Sequence, residues 1–133
     1  MPTIQVTGLR REDVNMKRWV GLLALVFVLA ACGNGGYETI AIEEVEAKQQ
    51  AGFQVIDVRE PVEYEEAHIV GAANVPLSGL QQEQFLGLSK DEQYVVICQT
   101  GNRSQEASAI LHEAGSEVVN VSEGMSTWQG DVE

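Results

Sequence analysis

Short apolar runs alternate with helical patterns along the chain from residue 39 onward. Three runs rich in aliphatic residues predict buried strands, and two shorter segments predict further strands, one of them an edge strand that closes with a proline. The segments between the runs have apolar residues at helical spacing, a proline in the first turn, or acidic residues in the first turn. Each of these features favours a helix. The predicted strands are 39–40, 53–57, 74–76, 94–98 and 117–121, and the predicted helices are 42–50, 61–66, 80–88, 107–114 and a short one at 124–128.

This alternation predicts an α/β fold, a mainly parallel five-stranded sheet with helices on both faces. A chain of 133 residues is long enough for one such domain with an N-terminal appendage. We expect the folded domain to span residues 38–130.

The loop between the run 94–97 and the helical pattern at 107–114 is the most informative stretch. Cys98 ends the predicted strand and so lies in a strand-to-helix turn, where backbone N–H groups and the helix dipole favour a thiolate. Gly101 supplies backbone angles that let the loop curl around the sulfur, and Arg103 adds a cation for an anionic substrate. The pattern predicts a nucleophilic cysteine, with a small buried core residue as the alternative.

Two further charged residues, Asp57 and Arg59, follow the apolar run 53–56. They stand at the carboxyl end of a predicted strand, and ligand sites of open α/β sheets form outside those ends. We therefore expect Arg59 on the same edge as Cys98, with a structural ion pair favoured over direct contact with substrate.

The N-terminal segment has the order of regions found in export signals. Residues 19–32 form a stretch of 14 uncharged residues behind Lys17 and Arg18, too short for a comfortable transmembrane helix of about 20 residues. Its end, residues 29–32, resembles the lipobox of bacterial lipoproteins. That resemblance implies a signal peptide over 1–31, a lipidated Cys32, a linker over 32–37 and a place in the cell envelope, on the periplasmic or extracellular face. Met16 allows 1–15 to be an over-long start. The alternatives to the lipoprotein are an uncleaved membrane anchor and a cysteine that stands at this position by chance.

Charge and cysteine content limit the kinds of molecule and metal that this protein is expected to bind. Residues 32–133 carry 18 acidic and 4 basic side chains, a net charge of −14. This balance argues against nucleic acid and against electrostatic adhesion to anionic lipid, because both attract basic patches. Lipidation of Cys32 would leave Cys98 without a disulfide partner, and Cys98, His68 and His112 are too dispersed for a metal-ligand pattern.

Residues 98–104 resemble the active-site loop of rhodanese-like domains. Five more segments resemble that family's other conserved segments in the same order, namely 57–60, 63–64, 68–72, 74–76 and 124–128. Ala67, Val70 and Glu123 depart from the family pattern, in which Gly, Pro and Gly are frequent at these places. The departures concern turn geometry rather than chemistry.

The resemblance implies a sulfurtransferase that moves a sulfane sulfur from thiosulfate or a related donor, through a persulfide on Cys98, to a thiophilic acceptor. In such enzymes the loop amides stabilise the persulfide, the Asp and Arg corresponding to Asp57 and Arg59 organise the site, and no cofactor is required because the sulfur resides on the enzyme. The implied substrate- and persulfide-binding residues are Gln99, Thr100, Gly101, Asn102 and Arg103.

Two alternatives share features with this interpretation. A cysteine phosphatase or arsenate reductase would need five residues between Cys and Arg, whereas four separate Cys98 from Arg103, which makes the loop too small for phosphate. A membrane-tethered module that carries a persulfide without turnover, or binds sulfur species, is the alternative from another functional class.

Overall fold

The structure is a computed structural model that describes residues 36–133. Its strands are β1 (Glu38–Ile40), β2 (Gln54–Asp57), β3 (Ala73–Asn74), β4 (Gln93–Cys98) and β5 (Glu117–Gly124). Its α-helices are α1 (Val45–Gln50), α2 (Pro61–Glu66), α3 (Leu77–Leu80) and α4 (Asn102–Glu113), and 3-10 turns occupy Ile42–Glu44 and Met125–Thr127.

The five strands form one sheet in the order β1-β5-β4-β2-β3, and every pairing is parallel. β4 lies at the centre, between β2 and β5. Because all strands run in the same direction, the carboxyl ends of β2, β4 and β5 meet at one edge of the sheet. The predicted five-stranded parallel architecture is confirmed.

Alternate side chains of β4 enter two separate hydrophobic cores. Val96 and Cys98 face a core completed by α3 and α4, whereas Val95 and Ile97 face a core on the opposite side that includes Val45 of α1. Helices therefore cover both faces of the sheet. Because both sets of β4 side chains are buried, the sequence of β4 is a continuous apolar run rather than an alternation of apolar and polar residues.

Residues 36–133 contain the complete sheet and both cores and form one compact unit. They therefore have what an independently folding domain requires. Within this part of the chain, none of the helices has both the length and the apolar character needed to cross a membrane.

The predicted helix at 80–88 is wrong. The helix in this region, α3, ends at Leu80, and the chain continues through turns in which Glu83, Leu86 and Gly87 have φ angles of 60°, 37° and 79°. A right-handed helix needs φ near −63°, so these residues interrupt it. Phe85 and Leu88 still pack against the core on the α4 side. These two residues are therefore apolar because the turn that contains them is partly buried, and not because they lie on one face of a helix.

Smaller differences concern element ends. β5 continues to Gly124, three residues beyond its predicted end, and the short edge strand is Ala73–Asn74 rather than 74–76. α4 begins at Asn102, ahead of the first apolar position of its pattern, because its first turn is made of polar loop residues.

Candidate active site

Cys98 is the last residue of β4 and is only 1% exposed. Its Sγ accepts a hydrogen bond of 3.1 Å from the backbone N–H of Gly101. The pairing of β4 with β5 shifts register between Val96 and Cys98, so Cys98 lies opposite Gly124. A side chain at Gly124 would collide with the carbonyl oxygens of Cys98 and Gln99, and its absence lets β5 support the start of the loop.

Gly101 precedes the first residue of α4 with a φ of 95°. That left-handed conformation disfavours other residues, and a Cβ there would also collide with the carbonyl oxygen of Ser122. The glycine thus lets the loop turn tightly enough to point its own N–H at the sulfur. The first turn of α4 then follows directly, with its unengaged N–H groups beside the cysteine.

Opposing effects set the pKa of the Cys98 thiol. Burial raises it, but hydrogen bonds from the Ser104 hydroxyl and from the amides of Ser104, Gly101 and Thr100 lower it, and the net pKa lies below that of an ordinary thiol. The buried Ser104 hydroxyl lies 3.3 Å from the carbonyl oxygens of Gly101 and Val121. Since the hydroxyl has one proton, donation to a thiolate competes with donation to these carbonyls.

Arg59 forms a buried ion pair with Asp57. Its Nε lies 3.0 Å from both carboxylate oxygens, and its Nη2 lies 2.7 Å from one of them. Nη2 also donates to the carbonyl of Ala67 at 2.7 Å, and Nη1 donates to Gln99 Oε1 at 3.4 Å. Arg59 is 5% exposed and therefore links the end of β2 to the cysteine loop from within the protein.

Arg103, on the first turn of α4, is held by Glu63 of α2. Its two terminal nitrogens donate to the two Glu63 carboxylate oxygens at 2.7 and 2.9 Å. The side chains are 35% and 32% exposed, so the pair lies at the surface of the site. Sequence reasoning assigned Glu63 no role, because only the fold brings residues 40 positions apart into contact.

The remaining loop residues have less buried side chains. Gln99 is half-buried against Arg59, whereas Thr100 and Asn102 are exposed. The structure thus brings Asp57, Arg59 and the loop 98–104 together at one edge of the sheet. Cys32 lies outside the described residues.

Tyr64 and His68 make a separate structural contact between α2 and the following turn. Their rings stack with centroids 3.6 Å apart, and His68 Nδ1 lies 2.8 Å from the Tyr64 carbonyl oxygen. Tyr64 also donates its hydroxyl proton to the Ala72 carbonyl at 2.6 Å. These bonds fix the turn that supplies the Ala67 carbonyl to Arg59.

Comparison with known proteins agrees with this geometry. The family model of the rhodanese-like domain matches residues 41–131. The chain is 37% identical over 89 residues to YtwF of Bacillus subtilis, a match that covers 67% of this chain and 84% of that protein. It is 30% identical over 94 residues to the Pseudomonas aeruginosa protein named thiosulfate sulfurtransferase GlpE, with 70% and 84% covered.

A solved structure shows the same architecture. The crystal structure of a rhodanese-related protein from Thermoplasma volcanium has a TM-score of 0.66 and 33% identity to this chain, and the match covers 73% of this chain and 98% of that one. Fold, cysteine loop and sequence similarity therefore agree, and this chain belongs to the family of rhodanese-like domains.

Proposed function

We propose that this protein is a sulfurtransferase that moves a sulfane sulfur from thiosulfate or a related donor, through a persulfide on Cys98, to a thiophilic acceptor. The observation that carries this proposal is the 3.1 Å hydrogen bond from the Gly101 amide to Cys98 Sγ within a loop of four residues before Arg103. Such a loop stabilises negative charge on sulfur. The similarity to a protein named thiosulfate sulfurtransferase supports a donor of the same chemical class, in which a sulfane sulfur is bonded to a sulfur leaving group.

The reaction proceeds in two displacements. The Cys98 thiolate attacks the outer sulfur of thiosulfate, the S–S bond of the donor breaks, and sulfite leaves with the electron pair. The acceptor, a thiolate or cyanide, then attacks the outer sulfur of the Cys98 persulfide, and the Cys98 thiolate is released. Amides of Gln99, Thr100, Gly101, Asn102 and Arg103 stabilise the persulfide anion, and no cofactor is needed.

Intact-mass spectrometry tests the first displacement. A protein spanning residues 33–133 would be treated with thiosulfate and freed of excess donor, with Cys98→Ser alongside. We expect a mass increase of one sulfur atom that cyanide reverses and that Cys98→Ser lacks. Absence of the adduct with both thiosulfate and a polysulfide donor would overturn the proposal.

A steady-state thiosulfate:cyanide assay separates an enzyme from a carrier. Sustained turnover is expected of an independent sulfurtransferase, whereas a stoichiometric persulfide with negligible turnover would identify a carrier that serves another enzyme. Turnover of an aryl phosphate that disappears in Cys98→Ser would instead indicate phosphatase chemistry.

We further infer that the protein is a lipoprotein held at the cell envelope through Cys32. The support is the order of basic, apolar and small residues in the segment ending at residue 32. Labelling of cells that express the full chain with a tagged fatty acid is expected to mark the wild type but not Cys32→Ser. Equal labelling of both, or none of either, would contradict the lipid anchor.

A further inference from the structure

The cations of the described residues are divided between the two ends of the sheet. Lys48 lies 3.3 Å from Glu38 at the start of β1 and above the ring of Phe53, just before β2, while Lys90 precedes β4. Both lysines therefore lie at the amino end of the strands. Arg59 and Arg103 are the cations at the carboxyl end, where Cys98 lies.

Both of these arginines already have a carboxylate partner. Asp57 neutralises Arg59 inside the protein, and Glu63 neutralises Arg103 at the surface. A third carboxylate, that of Glu60, lies close enough to affect Arg103 and receives a hydrogen bond from Ser78 at 3.1 Å. The three carboxylates thus carry one more charge than the two guanidinium groups, which makes this group of residues net negative. A thiolate at Cys98 adds another negative charge.

Glu63 is fixed in its position on Arg103. One of its oxygens accepts the Glu60 backbone N–H at 3.0 Å while both oxygens engage Arg103. The hydrogen bond from Arg103 is the main cause that lowers the pKa of Glu63 to about 2. The carboxylate consequently stays charged at every pH at which Cys98 is an effective nucleophile.

We propose that Glu63 is a specificity-determining residue that cancels the charge of Arg103 and thereby favours sulfane sulfur donors of low negative charge over the thiosulfate dianion. This inference rests on the proposed sulfur transfer and adds the charge class of the preferred donor. An unpaired guanidinium would attract a dianion to the mouth of the site, whereas the neutral pair leaves the repulsion of the surrounding carboxylates unopposed.

Methanethiosulfonate is the matched probe for this proposal. It has the outline of thiosulfate, with a methyl group in place of one oxygen, and carries one negative charge instead of two. The chemistry is the same: the Cys98 thiolate attacks the outer sulfur, the S–S bond breaks, and methanesulfinate leaves with the electron pair. Comparing each variant with both donors removes the difference in their intrinsic reactivity.

The experiment measures the second-order rate constant for Cys98 persulfide formation by rapid quench and intact mass, with protein spanning residues 33–133. Glu63→Gln keeps the shape and the acceptor for the Glu60 amide but removes the charge. We expect a rise of about tenfold with thiosulfate and about threefold with methanethiosulfonate, because the Coulomb energy scales with donor charge. The ratio of the two rate constants thus rises about threefold.

Two controls distinguish the effect of the Glu63 charge on donor preference from an effect of the substitution on folding. Glu65→Gln removes an exposed carboxylate from the same helix and is expected to change the ratio by less than about 1.5-fold, because Arg103 pairs with Glu63 and exposed charges are screened. In the wild type, added salt is expected to speed the thiosulfate reaction more than the methanethiosulfonate reaction. This second measurement tests the proposal even if Glu63→Gln folds poorly.

Equal loss of rate with both donors in Glu63→Gln would show that Glu63 only positions Arg103, and would overturn the proposal. A thiosulfate reaction that salt slows in the wild type would overturn it as well, because the site would then attract the dianion. Absence of persulfide in the wild type with both of these donors and with a polysulfide would instead refute the sulfur transfer itself, and this inference with it.

Discussion

At the scale of single residues, the reactivity proposed for Cys98 rests on hydrogen bonds that outweigh burial in setting the pKa of the thiol. Burial alone would keep the thiol protonated, and the Ser104 hydroxyl with three backbone amides reverses that effect. Because the pKa of the folded thiol is lowered, folding favours the thiolate, and this stabilisation is present at high pH and lost as pH falls through the folded pKa.

We expect Ser104→Ala to raise the pH at which Cys98 becomes half-ionised, since the thiolate loses a hydroxyl donor. The rate of alkylation by iodoacetamide as a function of pH measures this midpoint. Ser108→Ala is the matched control, because Ser108 is a buried serine one turn later on α4 and is expected to leave the midpoint unchanged. A Ser104→Ala midpoint equal to that of the wild type would contradict the hydrogen-bond explanation.

The Asp57–Arg59 pair should matter for stability far more than an exposed pair does. Asp57→Asn leaves Arg59 buried without a counter-charge, and we expect the free energy of unfolding to fall by about 3–5 kcal/mol. The exposed Lys48–Glu38 pair provides the comparison, and Glu38→Gln should cost about 1 kcal/mol or less. Urea unfolding measures both, and similar losses would refute the distinction.

At the scale of elements, the junction of β4 and α4 depends on Gly101 for both backbone angle and space. Gly71 has a similar φ of 82°, but a Cβ at Gly71 would have no heavy atom within 4 Å. An alanine at position 71 therefore measures the free-energy cost of the left-handed backbone angle without any steric collision. We expect Gly71→Ala to cost about 1–2 kcal/mol. Gly101→Ala should cost at least about 1 kcal/mol more, because the Ser122 carbonyl must move.

Urea unfolding of both alanine variants checks this difference, and alkylation of Cys98 shows whether the loop keeps its geometry. We expect Gly101→Ala to lose Cys98 reactivity and Gly71→Ala to retain it. Equal stability and equal reactivity in the two variants would show that the loop tolerates the added methyl group.

The inner strands β2, β4 and β5 could be predicted because their burial on both faces leaves apolar runs in the sequence. The helix at 80–88 could not be excluded, because Phe85 and Leu88 are apolar for reasons of tertiary packing that a turn satisfies equally well. The position of Cys98 at a strand end follows from local pattern. The contact between Glu63 and Arg103 does not, since it exists only after α2 and α4 pack beside each other.

At the scale of the whole molecule, residues 36–133 hold 18 acidic and 4 basic side chains. Three of those four cations are already paired with carboxylates, so most of the negative charge is unopposed. Mutual repulsion of these negative charges disfavours the compact, folded state. Dissolved salt weakens this repulsion, with a Debye length of about 10 Å at 0.1 M ionic strength.

We therefore expect the melting temperature of this protein to rise when sodium chloride increases from low to high concentration, as measured by calorimetry. A variant in which the exposed Glu43, Glu65 and Glu113 are replaced by Gln should respond less, because fewer charges remain to be screened. A melting temperature that falls with salt would show that attractive pairs outweigh the repulsion.

The near-complete burial of Cys98 also bears on how this protein tolerates oxidants. A cysteine that is 1% exposed is shielded from bulky disulfides, which need access to the attacking sulfur. The persulfide that the proposed transfer requires would extend the reactive end by one S–S bond of about 2.05 Å, so a bulky thiol would have to reach less deeply to attack the outer sulfur than to attack Cys98 itself. Empty protein would thus resist mixed-disulfide trapping, and only loaded protein would be open to exchange with a large thiol.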